Sequence, residues 1–199
     1  MSPRSSAGSG LRERKKRRTR EAVRSAAFTL FVRNGYSDTT VEQIAEAAEI
    51  SPRTFFRYFP NKAALLIPDQ LMEPILASFL TAPAELSPIA AYRFAIDSVF
   101  STIAGPEWND EMARQQLLYS LPEAGGALYH TYIGTIESIT EALATRLGRP
   151  VDDPRLRITA GAMTGVMMAA LHNTPIDPAA LIAGLEFLDE GLPLTAQDT

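Results

Sequence analysis

Apolar residues in the first third of the chain recur with a helical period, not a strand period. From Glu21 they fall at Val23, Ala26, Ala27, Leu30 and Phe31, the i, i+3, i+4, i+7, i+8 spacing of one buried helical face. Asn34-Gly35 ends that helix, because glycine takes the left-handed position after a helix at little cost. A short second helix follows, with Val41, Ile44, Ala45 and Ala48 on its apolar face. Thr39 and Thr40 both qualify as its N-cap, since Glu42 and Gln43 stand three residues later and complete a capping box in either register. Glu49-Ile50-Ser51 then makes a turn, with Ile50 plugging the corner. The third helix takes Ser51 as N-cap and Pro52 at its first position, where the missing N–H costs nothing. Phe55 and Phe59, four apart, form its buried side. Helix, three-residue turn, helix over 41–59 is helix-turn-helix geometry.

The rest of the chain is punctuated by proline. Asn61 can cap a fourth helix from Lys62 to about Leu80, interrupted at Pro68 and Pro74. Ser87-Pro88 opens a helix that runs to Gly105-Pro106, and another spans Glu107 to Tyr119 and breaks near Pro122. Gly126 to Leu147 is long and closes at Gly148-Arg149-Pro150. Asp153-Pro154 starts the next, to about His172, and Asp177-Pro178 the last, to about Glu190 before Gly191. No segment alternates with period two, and no repeat is visible. The pattern predicts an all-α protein of about nine helices: an N-terminal three-helix helix-turn-helix domain and a C-terminal helical domain.

Charge divides the chain in the same place. Residues 1–62 hold 13 Arg/Lys against 6 Asp/Glu, and residues 63–199 hold 6 against 17, within a net charge of −4. Residues 1–10 (MSPRSSAGSG) are small, polar and aperiodic, which reads as a disordered tail. Leu11 to Arg20 is strongly cationic. The expected domains are therefore 11–62 and 63–199. A basic third on an acidic body fits a nucleic-acid-binding arm on a separate domain, and charge alone fits a solvated surface equally well.

The third helix narrows this. Arg53, Thr54, Phe56, Arg57 and Tyr58 lie off the Phe55/Phe59 face. Arginine can pair bidentately with guanine in the major groove, and Thr or an aromatic ring can meet a thymine methyl. Tyr58, Lys62, Thr40 and the arm at Arg17, Arg18 and Arg20 are placed for phosphates, with Ser51 at the helix N-terminus. The run Thr39-Thr40-Val41-Glu42-Gln43-Ile44-Ala45-Glu46-Ala47-Ala48, then Ser51-Pro52-Arg53-Thr54-Phe55-Phe56-Arg57-Tyr58-Phe59-Pro60-Asn61-Lys62, resembles the TetR family signature. The resemblance covers about residues 17–66. It implies a homodimer on a palindromic operator in double-stranded DNA, acting as a repressor released by a small-molecule effector. By position it implies base contacts from Arg53, Thr54, Phe56 and Arg57, and phosphate contacts from Thr40, Tyr58 and Lys62. Two positions depart from the pattern. Glu49 stands where the family usually has glycine in the turn, and Phe56 where tyrosine is usual.

In the C-terminal body, Phe94, Phe100, Trp108, Met112, Tyr119, Tyr129, Tyr132, Met163 and Met167 recur on the middle helices as candidates for a mostly apolar ligand pocket. For any one of them, core packing is the commoner role. The stretch Leu117 to Glu123, followed by a helix closing at Arg146-Leu147-Gly148, resembles a subset of TetR-like regulators associated with acyl-CoA-type ligands. In the last two helices, Gly161 and Gly165 allow close approach, while Met168, Leu181, Leu185 and Leu188 supply apolar area. The family resemblance implies that these helices dimerise.

Other chemistries find little support. There is no Cys, and His130 and His172 have no metal-ligand spacing, so neither metal nor cofactor is expected. His130 could in principle act as a base near Glu123 or Glu137, but no catalytic motif accompanies it. No membrane span or secretory leader is expected, and the cytoplasm is the expected location. The alternative reading is a helical ligand-binding or enzymatic domain whose basic arm binds RNA or anionic lipid without sequence preference.

Overall fold

The computed structural model describes residues 6–67, 71–103, 106–121, 124–171 and 175–193. Among them the chain forms nine α-helices, one 3-10 turn and no strand, in two compact units that divide after Leu66. Pro68, Gly105, Pro122, Glu123 and His172, which the sequence reading used as helix breaks or candidate groups, lie outside the described residues.

The first unit holds α1 (Ser6–Asn34), α2 (Val41–Ala47), α3 (Pro52–Tyr58) and the 3-10 turn Ala63–Leu66. Helix α1 starts within the stretch expected to be a disordered tail. Residues 6–10 belong to its first turns, continuous with the Arg/Lys-rich segment whose unbranched side chains favour helix. Thr40 is the N-cap of α2 and makes both halves of the capping box with Gln43. Thr39, the other candidate, is 1% exposed and donates its hydroxyl to the Gly35 carbonyl at 2.8 Å. Ser51 caps α3 by accepting the Thr54 N–H at 3.1 Å. Helices this short are not stable alone; tertiary burial holds them. Val23, Ala27, Phe31, Ile44, Ala45, Phe55 and Phe59 are all buried, and each of the larger ones contributes about 1.5–3 kcal/mol.

The fourth helix expected from Lys62 to Leu80 is two elements. Asn61 caps as expected, its Oδ1 accepting the Ala64 N–H at 2.9 Å, but what it caps is the 3-10 turn. That turn belongs to the first unit, so the boundary falls later than residue 62. Arg24, 1% exposed, fixes it: its Nε donates to the Leu65 carbonyl at 2.9 Å.

The second unit contains α4 (Met72–Thr81), α5 (Pro88–Phe100), α6 (Pro106–Ser120), α7 (Ala124–Leu147), α8 (Pro154–Ala170) and α9 (Pro178–Asp189). Helix α5 packs on α4 and α9, α7 packs on α4 and α8, and α8 packs on α9. Ser87, Asp153 and Asp177 cap α5, α8 and α9, each followed by proline at the first turn. Hydrogen bonds from Arg155 and Arg149 hold the Asp153 carboxyl well below the usual carboxylate range. The core runs through Ile75, Phe79, Tyr92, Ile96, Ile139, Leu143, Leu156, Met163 and Leu185. Carbonyls left open at the end of α4 would be costly if buried. Arg146 closes them, donating to the carbonyls of Phe79, Ala82 and Pro83 at 3.1, 2.9 and 2.6 Å.

Candidate functional sites

Helix α3 has two unlike sides. Phe55 and Phe59 are 0% and 1% exposed and stack on each other with ring centroids 5.7 Å apart. Opposite them, Arg53, Phe56 and Arg57 are exposed, Phe56 with 56% of its surface open, while Thr54 and Tyr58 are half-buried. Arg57 lies 5.1 Å over the Tyr58 ring, a cation–π contact. Thr40 and Ser51 are exposed, and both use their hydroxyl oxygens to accept backbone N–H groups; the Ser51 hydroxyl also shares a hydrogen bond with that of Thr54 at 3.0 Å. Between α1 and the turn lies an open groove of about 920 Å³, lined by Arg14, Lys15, Arg17, Arg18, Thr19, Ala22, Ala48 and Ile50. The exposed basic run of α1 and the outer face of α3 therefore belong to one unit, as an anionic duplex would require.

Two cations expected at phosphates point inward instead. Arg20 donates to the Tyr58 carbonyl at 2.7 Å and lies 4.5 Å over the Phe59 ring. Lys62 donates to the carbonyls of Tyr36 and Thr39 at 2.6 and 2.9 Å, with its ammonium 4.2 Å from the Tyr36 ring. Both groups hold the helix-turn-helix together by donating to backbone carbonyls of its turns and helix ends.

Glu49 sits in the left-handed region at φ 54°. Its N–H donates to Glu46 and that of Ile50 to Ala45, which closes α2 in the manner normally given to glycine. A side chain there costs about 1–2 kcal/mol of backbone strain, against about 0.4–1 kcal/mol of extra chain entropy for glycine. Glu49→Gly is therefore expected to stabilise the N-terminal unit by about 0.5–1 kcal/mol, seen as a higher urea midpoint with an unchanged slope.

The second unit encloses a cavity of about 90 Å³ lined by Ile67, Leu71, Met72, Ile75, Tyr92, Ile96, Phe100, Leu118, Tyr119, Leu128, Thr131, Tyr132, Thr135, Met167, Leu171, Ile176 and Leu181. No Lys, Arg, His, Asp or Glu is among these residues. Burial raises the phenol pKa of Tyr92 and Tyr132. At Tyr119, burial together with the neighbouring Tyr132 pushes it up to about 12. The three phenols thus stay neutral donors across the physiological range. Of the expected pocket residues, Phe100, Tyr119, Tyr132 and Met167 line this cavity. Trp108 lines an adjoining open chamber of about 470 Å³. Phe94 and Tyr129 are 45% and 61% exposed, Met163 is fully buried in the core, and half-buried Met112 lines neither space. His130 is exposed beside the Tyr129 ring.

The expected dimer residues also separate. Leu181 and Leu185 are 3% and 0% exposed, and Leu188 packs against the same core, so these three serve the fold of one chain. Exposed apolar surface lies on α8: Ile158 at 70%, Met168 at 44%, and Gly165 between them, with Gly161 half-buried. Where α8 and α9 cross, a Cβ on Gly184 would lie 2.6 Å from Val166 Cγ1, so glycine permits the approach.

Residues 23–67 match the family model for bacterial regulatory proteins of the tetR family, and residues 86–193 match that of the MftR C-terminal domain. The HTH-type transcriptional regulator TcmR of Streptomyces glaucescens is 37% identical over 153 residues, 73% of this chain and 68% of that protein. The chain belongs to the TetR family. A second relative, the regulator MftR of Mycobacterium tuberculosis, is 28% identical over 163 residues, covering 80% of this chain and 81% of that one. A TetR-family regulator of known structure from Mesorhizobium loti is 19% identical, with a TM-score of 0.48 over 88% of this chain and 97% of that chain. As a TetR-family member the chain is a helix-turn-helix transcriptional regulator. Among the described residues, no helix is long and apolar enough to cross a membrane.

Sequence reasoning missed several groups. Tyr92, Thr131 and Thr135 on the cavity wall were not singled out, nor were Arg14 and Lys15 in the basic groove. Periodicity could have found Tyr92: on α5 it shares a side with Ile89, Ile96 and Val99, whereas Phe94 falls among Arg93, Asp97 and Ser98.

Proposed function

We propose that two copies of this TetR-family chain bind a palindromic operator through their α3 helices and that a small, largely apolar ligand in the C-terminal cavity releases them. The observation that carries the reading is the two-sided α3. Its core face is closed by Phe55 and Phe59, and its outer face offers Arg53, Thr54, Phe56 and Arg57 for base edges. Thr40, Ser51 and Tyr58, with Arg17 and Arg18 of the exposed arm, serve the flanking phosphates. A dimer sets two such helices about 34 Å apart, one turn of duplex, and a ligand that favours another spacing weakens binding by its differential affinity. Selection from random duplexes at moderate salt tests this. An inverted repeat should emerge; retention without a motif that vanishes as salt rises would reduce the N-terminal unit to nonspecific electrostatics.

The exposed apolar face of α8 is the dimer surface in this reading. Ile158→Arg adds charge where the single chain leaves the side chain open, so the fold should survive while association fails. Light scattering should fall from twice 21.7 kDa to 21.7 kDa. An unchanged mass would place the dimer contact elsewhere.

A further inference from the structure

The enclosed cavity and the open chamber beside it share one wall. Leu71 lines both. Phe100 lines the inner space and Trp108 the outer, and their rings meet edge to face with centroids 5.5 Å apart and planes at 85°. The inner space alone, about 90 Å³, is below the roughly 300–1,000 Å³ of small-molecule sites, and the outer chamber of about 470 Å³ supplies what it lacks.

Several hydroxyls of the inner wall lack a strong hydrogen-bond partner among the described residues. Tyr92 is fully buried, and its hydroxyl meets Met167 Sδ at 3.6 Å, a thioether and therefore a weak acceptor. Among the described residues, none hydrogen-bonds the hydroxyls of Tyr119, Tyr132 or Thr135. Four hydroxyl-bearing side chains thus line a space in which none of the described lining residues is ionisable, and against these residues a carboxylate, phosphate or ammonium would be desolvated without compensation. In the outer chamber the acidic group among the described lining residues, Glu111, is matched by Arg114 at 3.3 Å and Gln115 at 3.4 Å. Gln115 in turn accepts the Ile176 N–H at 2.7 Å, tying α6 to the segment before α9 on the inner wall.

We propose that the two spaces are one effector site divided by the Phe100–Trp108 pair, and that it takes an uncharged, largely apolar molecule carrying oxygen acceptors. This rests on the reading of the C-terminal unit as the effector domain. The ligand's oxygen replaces Met167 as the partner of Tyr92, its apolar body lies along Leu71 and Phe100, and its passage inward separates Trp108 from Phe100.

Trp108 is the single tryptophan of the chain, so its emission reports the dividing wall directly. Purified full-length protein is titrated with three neutral ketones of different shape (2-adamantanone, 2-dodecanone and progesterone), with 1-adamantanecarboxylate and dodecanoate, and with dodecanoyl-CoA. Melting temperature, Trp108 emission and retention of the selected operator are followed together. At least one ketone is expected to raise the melting temperature and shift Trp108 emission at saturation, with the matching carboxylate bound at least tenfold more weakly. Tyr92→Phe should weaken that ketone about three- to tenfold, as for loss of one neutral hydrogen bond, while the free variant melts as the parent does. Phe100→Ala should alter Trp108 emission before any ligand is added. Stabilisation by a ketone with unchanged Trp108 emission overturns the joined site. Carboxylate or CoA thioester binding that equals or exceeds ketone binding overturns the neutral class and leaves the effector reading standing. If no probe of either charge moves melting or operator retention, both fall.

Discussion

Phe55→Ala should destabilise the N-terminal unit by about 3–5 kcal/mol, the range for removing a fully buried phenylalanine. Phe55 is 0% exposed, touches the Phe59 ring at 5.7 Å and meets the Phe56 ring edge at 5.3 Å. The helix that carries it has seven residues, too few to persist without packing. Truncation opens a void at the crossing of two short helices, where the backbone has few neighbours with which to collapse. Amide exchange supplies the measurement. At about 1.4 kcal/mol per decade, protection of the α2 and α3 amides should drop a hundredfold to several thousandfold. Phe56→Ala is the control. The neighbouring ring is 56% exposed, so its removal should change stability by no more than about 0.5 kcal/mol. Equal losses at the two positions would mean that α3 is packed on both sides and has no face to offer DNA.

That contrast between adjacent phenylalanines was legible in the sequence. The i, i+4 spacing of Phe55 and Phe59 fixed the inner face, and the caps at Thr40, Ser51, Ser87, Asp153 and Asp177 lie where side-chain chemistry and the following residues indicate. Local rules suffice for such features because donor and acceptor are two to four residues apart. They fail for Arg20 and Lys62. The carbonyls that hold these cations are 38, 26 and 23 residues away, and nothing in the local charge pattern separates a solvated arginine from one that closes a turn.

The C-terminal unit was harder for a related reason. Met163 and Met167 are four apart on α8 and share a face, yet one is sealed in the core and the other borders the cavity. The difference comes from what crosses above each residue, and periodicity carries no information about that. Leu181, Leu185 and Leu188 form a true apolar stripe, but a stripe does not specify whether its cover comes from the same chain or another. Here α9 packs against α5 and α8. Ile158 and Met168, by contrast, are exposed positions of α8.

Arg57→Ala should lower affinity for the selected operator by about 1–3 kcal/mol, roughly five- to 150-fold, while binding to unrelated duplex changes much less. Arg57 is exposed, sits in the last turn of α3 and is steadied by the Tyr58 ring at 5.1 Å, so its guanidinium is presented with little rotamer freedom to lose. A bidentate partner of guanine contributes discrimination, and its loss should relax preference at one base pair in each half-site. Arg17 and Arg18 make a different prediction. They belong to the cationic groove beside the turn, and neutralising either should weaken all duplexes alike and reduce the salt slope by about one. Measuring both variants on operator and random duplex, at two salt concentrations, separates the roles. If Arg57→Ala weakens operator and random duplex by the same factor, Arg57 is a phosphate contact, and the reading of sequence must shift to Arg53 and Thr54 at the start of the helix.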